Sequence, residues 1–307
     1  PLRWTGYTGV GFSRISVNPS LSIIYKLNYA WRFTAHASYK ERYGEMTDLY
    51  DRPYQTDYRN SVWNCGILPV YRQQLYSVYG EYKNTAREFF ATVNLTHNRE
   101  WYNRIYEQRI ENGQVQRVSL PLSNHGSGYT VKSTLSKGFY DLGLKTSFLA
   151  LLNISKAEQS SGGQRLPYQY RLMRLEPKVI WTPNRHWETS YQTDIRYGGN
   201  KIGERTRLAP LWNVTQQVQL SYIFSPIEAS LSVDHYHNDV NEDQSVNAVF
   251  ADFSVLWKSR RWQITATATN LFDKRTYAYT RYASLESYTS WVRIRPREFL
   301  VAIRYRL

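Results

Sequence analysis

The chain has 307 residues, including 27 Tyr, 11 Phe and 10 Trp, and its 39 Lys and Arg against 25 Asp and Glu give a formal net charge of +14. That charge attracts nucleic acid and anionic membrane surfaces alike. No run of about 18 apolar residues occurs, which excludes helical membrane spans, and the 16 Gly, 11 Pro and one Cys exclude collagen-like, low-complexity and disulfide-framework proteins.

The sequence starts at Pro1, with no initiator Met and no charged leader before an apolar stretch. This start predicts a mature or truncated piece of a longer protein. No Pro-, Gly- or Ser-rich linker divides the chain, so we expect residues 1–307 to form one domain or part of one.

Alternation of apolar and polar residues, the period of a strand with two different faces, dominates the chain. In chain order it is clearest over residues 31–40, 89–96, 213–224, 227–234, 249–258, 262–269 and 298–307. In the last of these segments Val301 and Ile303 are apolar, whereas the even positions include Arg304. The pattern predicts an all-β protein with long two-faced strands.

Two kinds of connection alternate between these strands. Tight turns are predicted at about residues 26–29, 84–87, 137–140, 182–186, 225–226 and 259–260, and longer polar segments at about 43–70, 110–126, 156–167, 198–209, 237–245 and 273–288. Long up-and-down strands with short turns at one end and long loops at the other are typical of a transmembrane β-barrel. We count 13 strands, give or take one.

Aromatic residues favour this reading over a soluble all-β protein, because they recur within about four positions of the tight turns. They are Trp31, Phe139, Tyr140, Trp181, Trp187, Phe224, Trp257 and Trp262. Amphipathic rings at one level of every hairpin are typical of a membrane interface. Tyr residues such as Tyr43, Tyr102 and Tyr168 predict a second girdle at the long-loop end. The alternative is that these rings are ordinary sandwich-core residues.

The polar side of the same strands carries charges of both signs, among them Arg32, Glu188 and Asp234. In a lipid-embedded barrel the apolar face points outward and the polar face lines water or a plug. About 13 strands or more predict an interior wide enough for a channel.

No enzymatic or cofactor site is predicted. His235 and His237 share one face of a strand, but no third metal ligand follows from the spacing, so we predict no metal. No Gly-rich phosphate loop and no catalytic triad setting occurs. An RNA-binding sheet with interleaved aromatic and basic residues conflicts with the chain-long alternation, so no nucleic-acid partner is expected. The basic loop residues, including Arg99 and Lys201, have three interpretations. They contact lipopolysaccharide phosphates, they contact an anionic ligand in the mouth of the barrel, or they are only solvated.

Three segments resemble a known family. These are Asn270-Leu271-Phe272-Asp273 with the Tyr-rich loop after it, the final stretch from Arg295 to Leu307, and the hairpin that begins at Asn18 and continues past Trp31. They resemble the barrel of a TonB-dependent outer-membrane receptor. The last residue, Leu307, departs from the aromatic residue usual at that position in the family.

The resemblance implies an outer-membrane location in a Gram-negative-type bacterium and a 22-stranded barrel closed by an N-terminal plug. Thirteen strands from a long-loop start to a short-turn finish correspond to strands 10 to 22 of such a barrel. The expected partners are outer-membrane lipid and lipopolysaccharide, the plug and remaining strands, a TonB-type energy-transducing protein and a surface lipoprotein.

By the same resemblance, aromatic residues in two long loops are candidates for contact with a siderophore, glycan, peptide or vitamin. They are Tyr50, Tyr54, Tyr58, Trp63, Tyr277, Tyr279 and Tyr282. Uptake of a nutrient by an energised receptor is therefore the leading hypothesis. The alternatives are a passive porin, a structural barrel component of an outer-membrane complex, and a soluble β-rich binding module.

Overall fold

The computed structural model of the chain describes residues 2–5, 11–111, 114–203, 206–207, 210–241, 243–283 and 286–306. Leu307 lies outside them. The strands are β1 (Leu2–Thr5), β2 (Gly11–Arg14), β3 (Ser20–Lys26), β4 (Trp31–Tyr43), β5 (Tyr54–Gln55), β6 (Asn60–Trp63), β7 (Val70–Asn84), β8 (Phe89–Tyr102), β9 (Ile105–Glu111), β10 (Gln114–Leu120), β11 (Asn124–Phe139), β12 (Leu144–Ser161), β13 (Gln164–Asn184), β14 (Trp187–Ile202), β15 (Thr206–Arg207), β16 (Leu211–Phe224), β17 (Ile227–Asp239), β18 (Ser245–Lys258), β19 (Trp262–Thr269), β20 (Thr276–Ala283), β21 (Glu286–Arg293) and β22 (Glu298–Tyr305). Short 3-10 turns lie at Met46–Leu49 and Tyr140–Leu142. In the described ranges, no helix is both long and apolar enough to cross a membrane.

Thirteen of the described strands form one antiparallel sheet, which we call the wall. Their order is β3, β4, β7, β8, β11, β12, β13, β14, β16, β17, β18, β19 and β22. Each pairs with the next one along the chain once the loop strands are set aside. The predicted all-β, antiparallel up-and-down architecture is confirmed.

The two outermost strands of the wall are exposed. The wall has the strand order of a barrel, yet among the described residues β3 pairs only with β4, and β22 only with β19. Every residue of both strands is exposed, and no described backbone pairing joins one strand to the other. We therefore describe the wall as a barrel segment with two free edges.

Tight turns at one end of the wall are stabilised by asparagine side chains. Asn28 Oδ1 accepts the backbone N–H of Trp31 at 2.9 Å, Asn84 Oδ1 that of Arg87 at 3.0 Å, and Asn184 Oδ1 that of His186 at 2.9 Å. Such side chains replace a backbone acceptor in a turn. The turn predicted at 137–140 lies at 140–143 and closes on Gly143, whose φ of 60° favours glycine. We call this the short-turn end.

At the opposite, long-loop end, the connections fold into strands of their own. Residues 44–69 supply β5 and β6, residues 103–123 supply β9 and β10, and β6 pairs in parallel with β10. We call these two segments the first cap. The predicted polar segment 156–167 is instead a hairpin, since β12 and β13 continue to a turn at Gly162 and Gly163, where φ is 58° and 77°.

Strand alternation gives the wall a polar and an apolar face, because cross-strand partners lie on the same side of a sheet. Leu231 pairs with Leu220 and Phe253 on the apolar face, whereas Ser232 pairs with Gln219 and Asp252 on the polar face. The hairpin of β20 and β21, called the last hairpin, contacts strands β14, β17 and β18. Its partners there include Tyr236 and Asn238, which belong to the polar face. The polar face is therefore the inner side of the wall.

Candidate ligand-binding face

The polar face carries a cluster of four charged residues on β13 and β14. The Arg174 guanidinium binds both carboxylate oxygens of Asp194, at 3.0 and 2.8 Å, and lies 2.6 Å from Glu176. Arg196 binds the same Asp194 at 2.7 Å and keeps about half of its side chain exposed. Two-point guanidinium–carboxylate pairs fix side-chain orientation. The cluster therefore presents the Arg196 guanidinium, an oriented cation, to the interior.

In the first cap, Arg104 is a buried charge, with a 6% exposed side chain. Its Nη1 donates to Asp48 Oδ1 at 2.8 Å, and its Nη2 donates to the Tyr71 hydroxyl. The guanidinium also lies 4.8 Å from the ring centre of Tyr106. Burial would lower the pKa of Arg104, but Asp48, Tyr106 and Tyr71 raise it on balance. Arg104 therefore stays charged and links the two segments of the cap.

The outer edge of the cap is fixed to the wall through Glu107. This carboxylate, 5% exposed, accepts Arg109 Nε at 2.9 Å and the Ser160 hydroxyl at 2.9 Å. These hydrogen bonds lower the pKa of Glu107 against the opposing effect of burial. Next to it, burial raises the pKa of Tyr106 to about 12, although Arg104 opposes this. The cap is thus a folded structure on β12, with polar groups that pair with one another.

The last hairpin occupies part of the polar face near the long-loop end. Asn238 Nδ2 donates to the Tyr277 hydroxyl at 3.0 Å and to the Ala278 carbonyl at 3.3 Å. The Tyr277 ring lies 5.3 Å from that of Tyr236, and Ala278 is fully buried. The hairpin therefore narrows the interior from one side.

Asn270 and Asp273, both in the segment that carries the family resemblance, hold the stems of that loop together. Asn270 Nδ2 donates to the carbonyls of Lys274 and Arg295, each at 2.8 Å, and Asp273 Oδ1 accepts the N–H of Arg297 at 3.1 Å. Asn270 and Asp273 have φ of 51° and 50°, a conformation that Asn and Asp tolerate better than most residues. The motif thus has a structural explanation: it fixes where the last hairpin leaves and rejoins the wall.

The predicted ligand-contact residues fall into two groups. Tyr50, Tyr54, Tyr58 and Trp63 lie in the first cap, whereas Tyr277, Tyr279 and Tyr282 lie on β20. No described contact joins the groups. Within the cap, the Tyr50 and Tyr54 rings are 6.0 Å apart, and Trp63 Nε1 donates to the Asp51 carbonyl at 2.8 Å. Tyr58 is 79% exposed, and Tyr282 lies outside the residues whose side chains are described.

Most of the predicted girdle residues lie on strands at the short-turn end, with exposed side chains. Trp181, Trp187, Trp257 and Trp262 are between 37% and 48% exposed, and Trp31, Phe139 and Phe224 between 39% and 52%. Tyr140 is 88% exposed in the turn itself. Neighbouring rings pack in pairs: Trp31 with Tyr82, Trp187 with Tyr222, and Trp262 with Tyr305, at 4.7 to 4.8 Å.

Sequence reasoning missed the buried Arg104–Asp48 pair, the Arg174–Asp194 cluster and the Asn238 contact with the last hairpin. The alternation on β13 and β14 was a signal for the second of these, because it places their charges on one face. His235 and His237 bind the amide oxygens of Gln216 and Asn247, at 3.3 and 2.9 Å. In the described residues, no three His, Cys, Asp or Glu side chains group as metal ligands.

No family model and no curated protein matches the chain. Three solved structures are similar in outline. The ferric yersiniabactin uptake receptor FyuA from Yersinia pestis has a TM-score of 0.48 and 8% identity over 94% of this chain. The translocator domain of autotransporter NalP from Neisseria meningitidis has a TM-score of 0.28 and 10% identity, over 91% of this chain and 89% of that one. The toluene transporter TodX of Pseudomonas putida has a TM-score of 0.27 and 11% identity, over 85% of this chain and 78% of that one.

This chain spans 50% of the length of FyuA.

Proposed function

We propose that this chain is a single partial-barrel domain that forms part of the wall of a TonB-dependent outer-membrane receptor and takes up a nutrient ligand. The observation that carries the proposal is a wall with an apolar exposed face, a polar inner face and two free edges. Unpaired backbone groups in hydrocarbon cost several kcal/mol each, so a wall in lipid needs further strands along β3 and β22. The family resemblance supplies those strands and the plug.

The inner face supports binding of a polar or anionic ligand from the long-loop side. Arg196 presents a charged group there, and the last hairpin narrows the passage with Tyr277 and Tyr279, whose rings are 6.0 Å apart. Aromatic faces suit glycans, peptides and aromatic chelates equally. Net movement then requires a plug displaced by the TonB-type partner.

Membrane embedding is tested by cysteine labelling of the full-length protein in lipid vesicles, after Cys65→Ser removes the native thiol. Leu231→Cys and Val93→Cys report on the apolar face, and the neighbours Ser232→Cys and Asn94→Cys are matched controls on the polar face. A membrane-impermeant maleimide is expected to label the polar-face cysteines at least about 10-fold faster. Equal rates on both faces, or a monodisperse protein without detergent, would refute the membrane location.

Energised uptake is distinguished from the alternative of a passive porin by conductance. A plugged receptor is expected to show little steady conductance in planar bilayers and to bind the periplasmic domain of the TonB-type protein. A large steady conductance without that binding would favour the porin and contradict the receptor.

A further inference from the structure

The polar face carries a cluster of aromatic rings where the last hairpin packs on the wall. The Tyr236 ring lies 5.7 Å from that of Phe250 and 5.3 Å from that of Tyr277, edge-on in both pairs. Tyr279 continues the cluster, with its ring 6.0 Å from that of Tyr277. All four side chains are half-buried, so they keep ring surface open to the interior. We call these four residues the ring cluster.

A carboxylate lies beside the ring cluster. Asp234 is directly opposite Phe250 in the pairing of β17 with β18, and it is two residues from Tyr236 on the same side of β17. In the part of the chain that the structure describes, no ion pair includes Asp234. The nearby Asp252 accepts the backbone N–H of Asn270 at 2.7 Å. Ring faces and a carboxylate both attract an ammonium group, so this part of the polar face favours a cation.

An oriented cation, Arg196, lies on the same face at a distance from Asp234 that the strand register fixes. Arg196 is opposite Asn213 on β16. Four residues further along β16, Gln217 is opposite Asp234. Two strand spacings and four residues of strand give about 16 Å between the Cα atoms of Arg196 and Asp234. Arg196 binds Asp194 through Nε and Nη2, and among the described residues its Nη1 has no partner.

Between these two opposite charges the wall is neutral and polar. Asn213, Thr215 and Gln217 alternate along β16 on the polar face. Gln217 donates a hydrogen bond to Asp234, whereas the buried Asn213 Oδ1 has no partner among the described residues. Amide and hydroxyl groups both donate and accept hydrogen bonds, which is what the backbone of an extended peptide requires. The surface therefore combines a cation site, a row of hydrogen-bonding groups and an anion site.

We infer that this part of the polar face binds a short peptide with free ends, with its ammonium group at Asp234 and the ring cluster and its carboxylate at Arg196. An extended peptide advances about 3.3 to 3.6 Å per residue, so a separation of about 16 Å corresponds to about five residues. Asp234 lies nearer the short-turn end than Arg196 does. The peptide therefore enters from the long-loop side with its amino end first.

Charge complementarity selects the peptide over the other nutrient classes. A neutral glycan leaves both charged groups without a partner, and a ligand with charges of one sign leaves one of them so. A peptide with free ends matches both charges and the hydrogen-bonding groups between them. The inference rests on the proposed function and narrows its nutrient ligand to a peptide. It is tested separately, because binding to the isolated protein requires neither a membrane nor an energy source.

The test measures peptide binding to the full-length protein in detergent by titration calorimetry. The probe is the peptide Leu-Ala-Gly-Ala-Leu, whose first side chain can pack on the ring cluster, and it is compared with its N-acetylated and C-amidated forms. Each block is expected to weaken binding to the wild type about 10-fold, the usual effect of losing one charge-assisted hydrogen bond. The tripeptide Leu-Gly-Leu is too short to reach both charges and is expected to bind no better than the blocked forms.

Two variants assign the two ends of the peptide. Asp234→Asn is expected to bind the free and acetylated forms equally and still to discriminate against the amidated form, and Arg196→Gln is expected to do the reverse. Glu188→Gln and Lys132→Gln remove exposed charges elsewhere on the polar face and are the matched controls, with wild-type discrimination. A folding defect would weaken binding of all forms equally, so it cannot produce this pattern.

Equal binding of the free and blocked peptides by the wild type would overturn the inference, as would no binding of the free peptide at about 1 mM. Discrimination that both variants keep would also overturn it, as would displacement of the peptide by an equal concentration of a neutral five-residue glycan. The proposed function fails in different experiments, since the labelling and conductance tests contain no peptide. The predicted pattern in a protein that labels equally on both faces would support the peptide site and refute the membrane location.

Discussion

The two ends of the wall differ in how far apart along the chain their contacts lie. At the short-turn end, hairpins are joined by two to four residues, and Asn side chains bind backbone groups two or three residues away. At the long-loop end, Arg104 binds Asp48 across 56 residues and Ser160 binds Glu107 across 53. The short-turn end is therefore stabilised by many similar local contacts, and the long-loop end by a few buried polar ones.

This difference predicts that single substitutions act far more strongly at the long-loop end. Asp48→Ala leaves the Arg104 charge buried without its carboxylate, which typically costs about 3 kcal/mol. We expect residues 105–111 and 114–120 to lose hydrogen-exchange protection while the wall strands keep theirs. Asp51→Ala, in the same loop but exposed, is the matched control. Unchanged exchange in the cap of the Asp48 variant would contradict the distinction between the two ends.

A smaller effect is expected at the short-turn end. Trp187→Ala removes a ring 4.7 Å from Tyr222, and such ring pairs contribute about 1 kcal/mol beyond the area that the rings bury. The free energy of unfolding by urea in lipid vesicles is expected to fall by at least that amount, with the protection of the first cap unchanged. Trp187→Phe keeps a ring at the position and should restore most of the loss. Loss of cap protection in the alanine variant would show that the ends are coupled.

The smallest expected effect is a pH dependence confined to the cap. Because the folded pKa of Glu107 is lowered below its ordinary value, its contribution to stability is present above about pH 4.5 and is lost as the pH falls through the folded pKa. Hydrogen-exchange protection near β9, corrected for the slower intrinsic exchange at low pH, is therefore expected to fall on acidification below about pH 4. Glu107→Gln should remove that dependence. An identical pH profile in the variant would assign the effect to another group.

Most of the wall could be predicted from sequence, because alternation and turn residues are local signals. Thirteen strands and five of the six tight turns follow from them directly. The strands of the first cap could not be predicted, since β5 has only two residues and the parallel pairing of β6 with β10 joins segments that are distant along the chain. Nothing near Asp48 in the sequence indicates Arg104 as its partner.

The candidate binding region was less predictable than the fold. The aromatic residues of the loops predict Tyr50 and Tyr277 as candidates for ligand contact. They do not predict that the two residues lie in separate parts of the structure, because that depends on how each loop folds over the wall. The sequence predicts a loop where the chain forms the hairpin at Gly162 and Gly163, because polar residues at the ends of long strands resemble a loop in composition. Residue type shows which groups can bind a ligand, whereas spatial convergence depends on long-range packing.

The free edges of β3 and β22 have a consequence for the proposed membrane location. Each edge exposes a line of backbone N–H and C=O groups that water can satisfy and hydrocarbon cannot. Thirteen strands on their own therefore have no stable place in a bilayer, however well they pair with one another. At the proposed membrane location, entry into the bilayer and pairing of both edges would have to be coupled, because entry with unpaired edges would leave backbone groups unsatisfied in hydrocarbon.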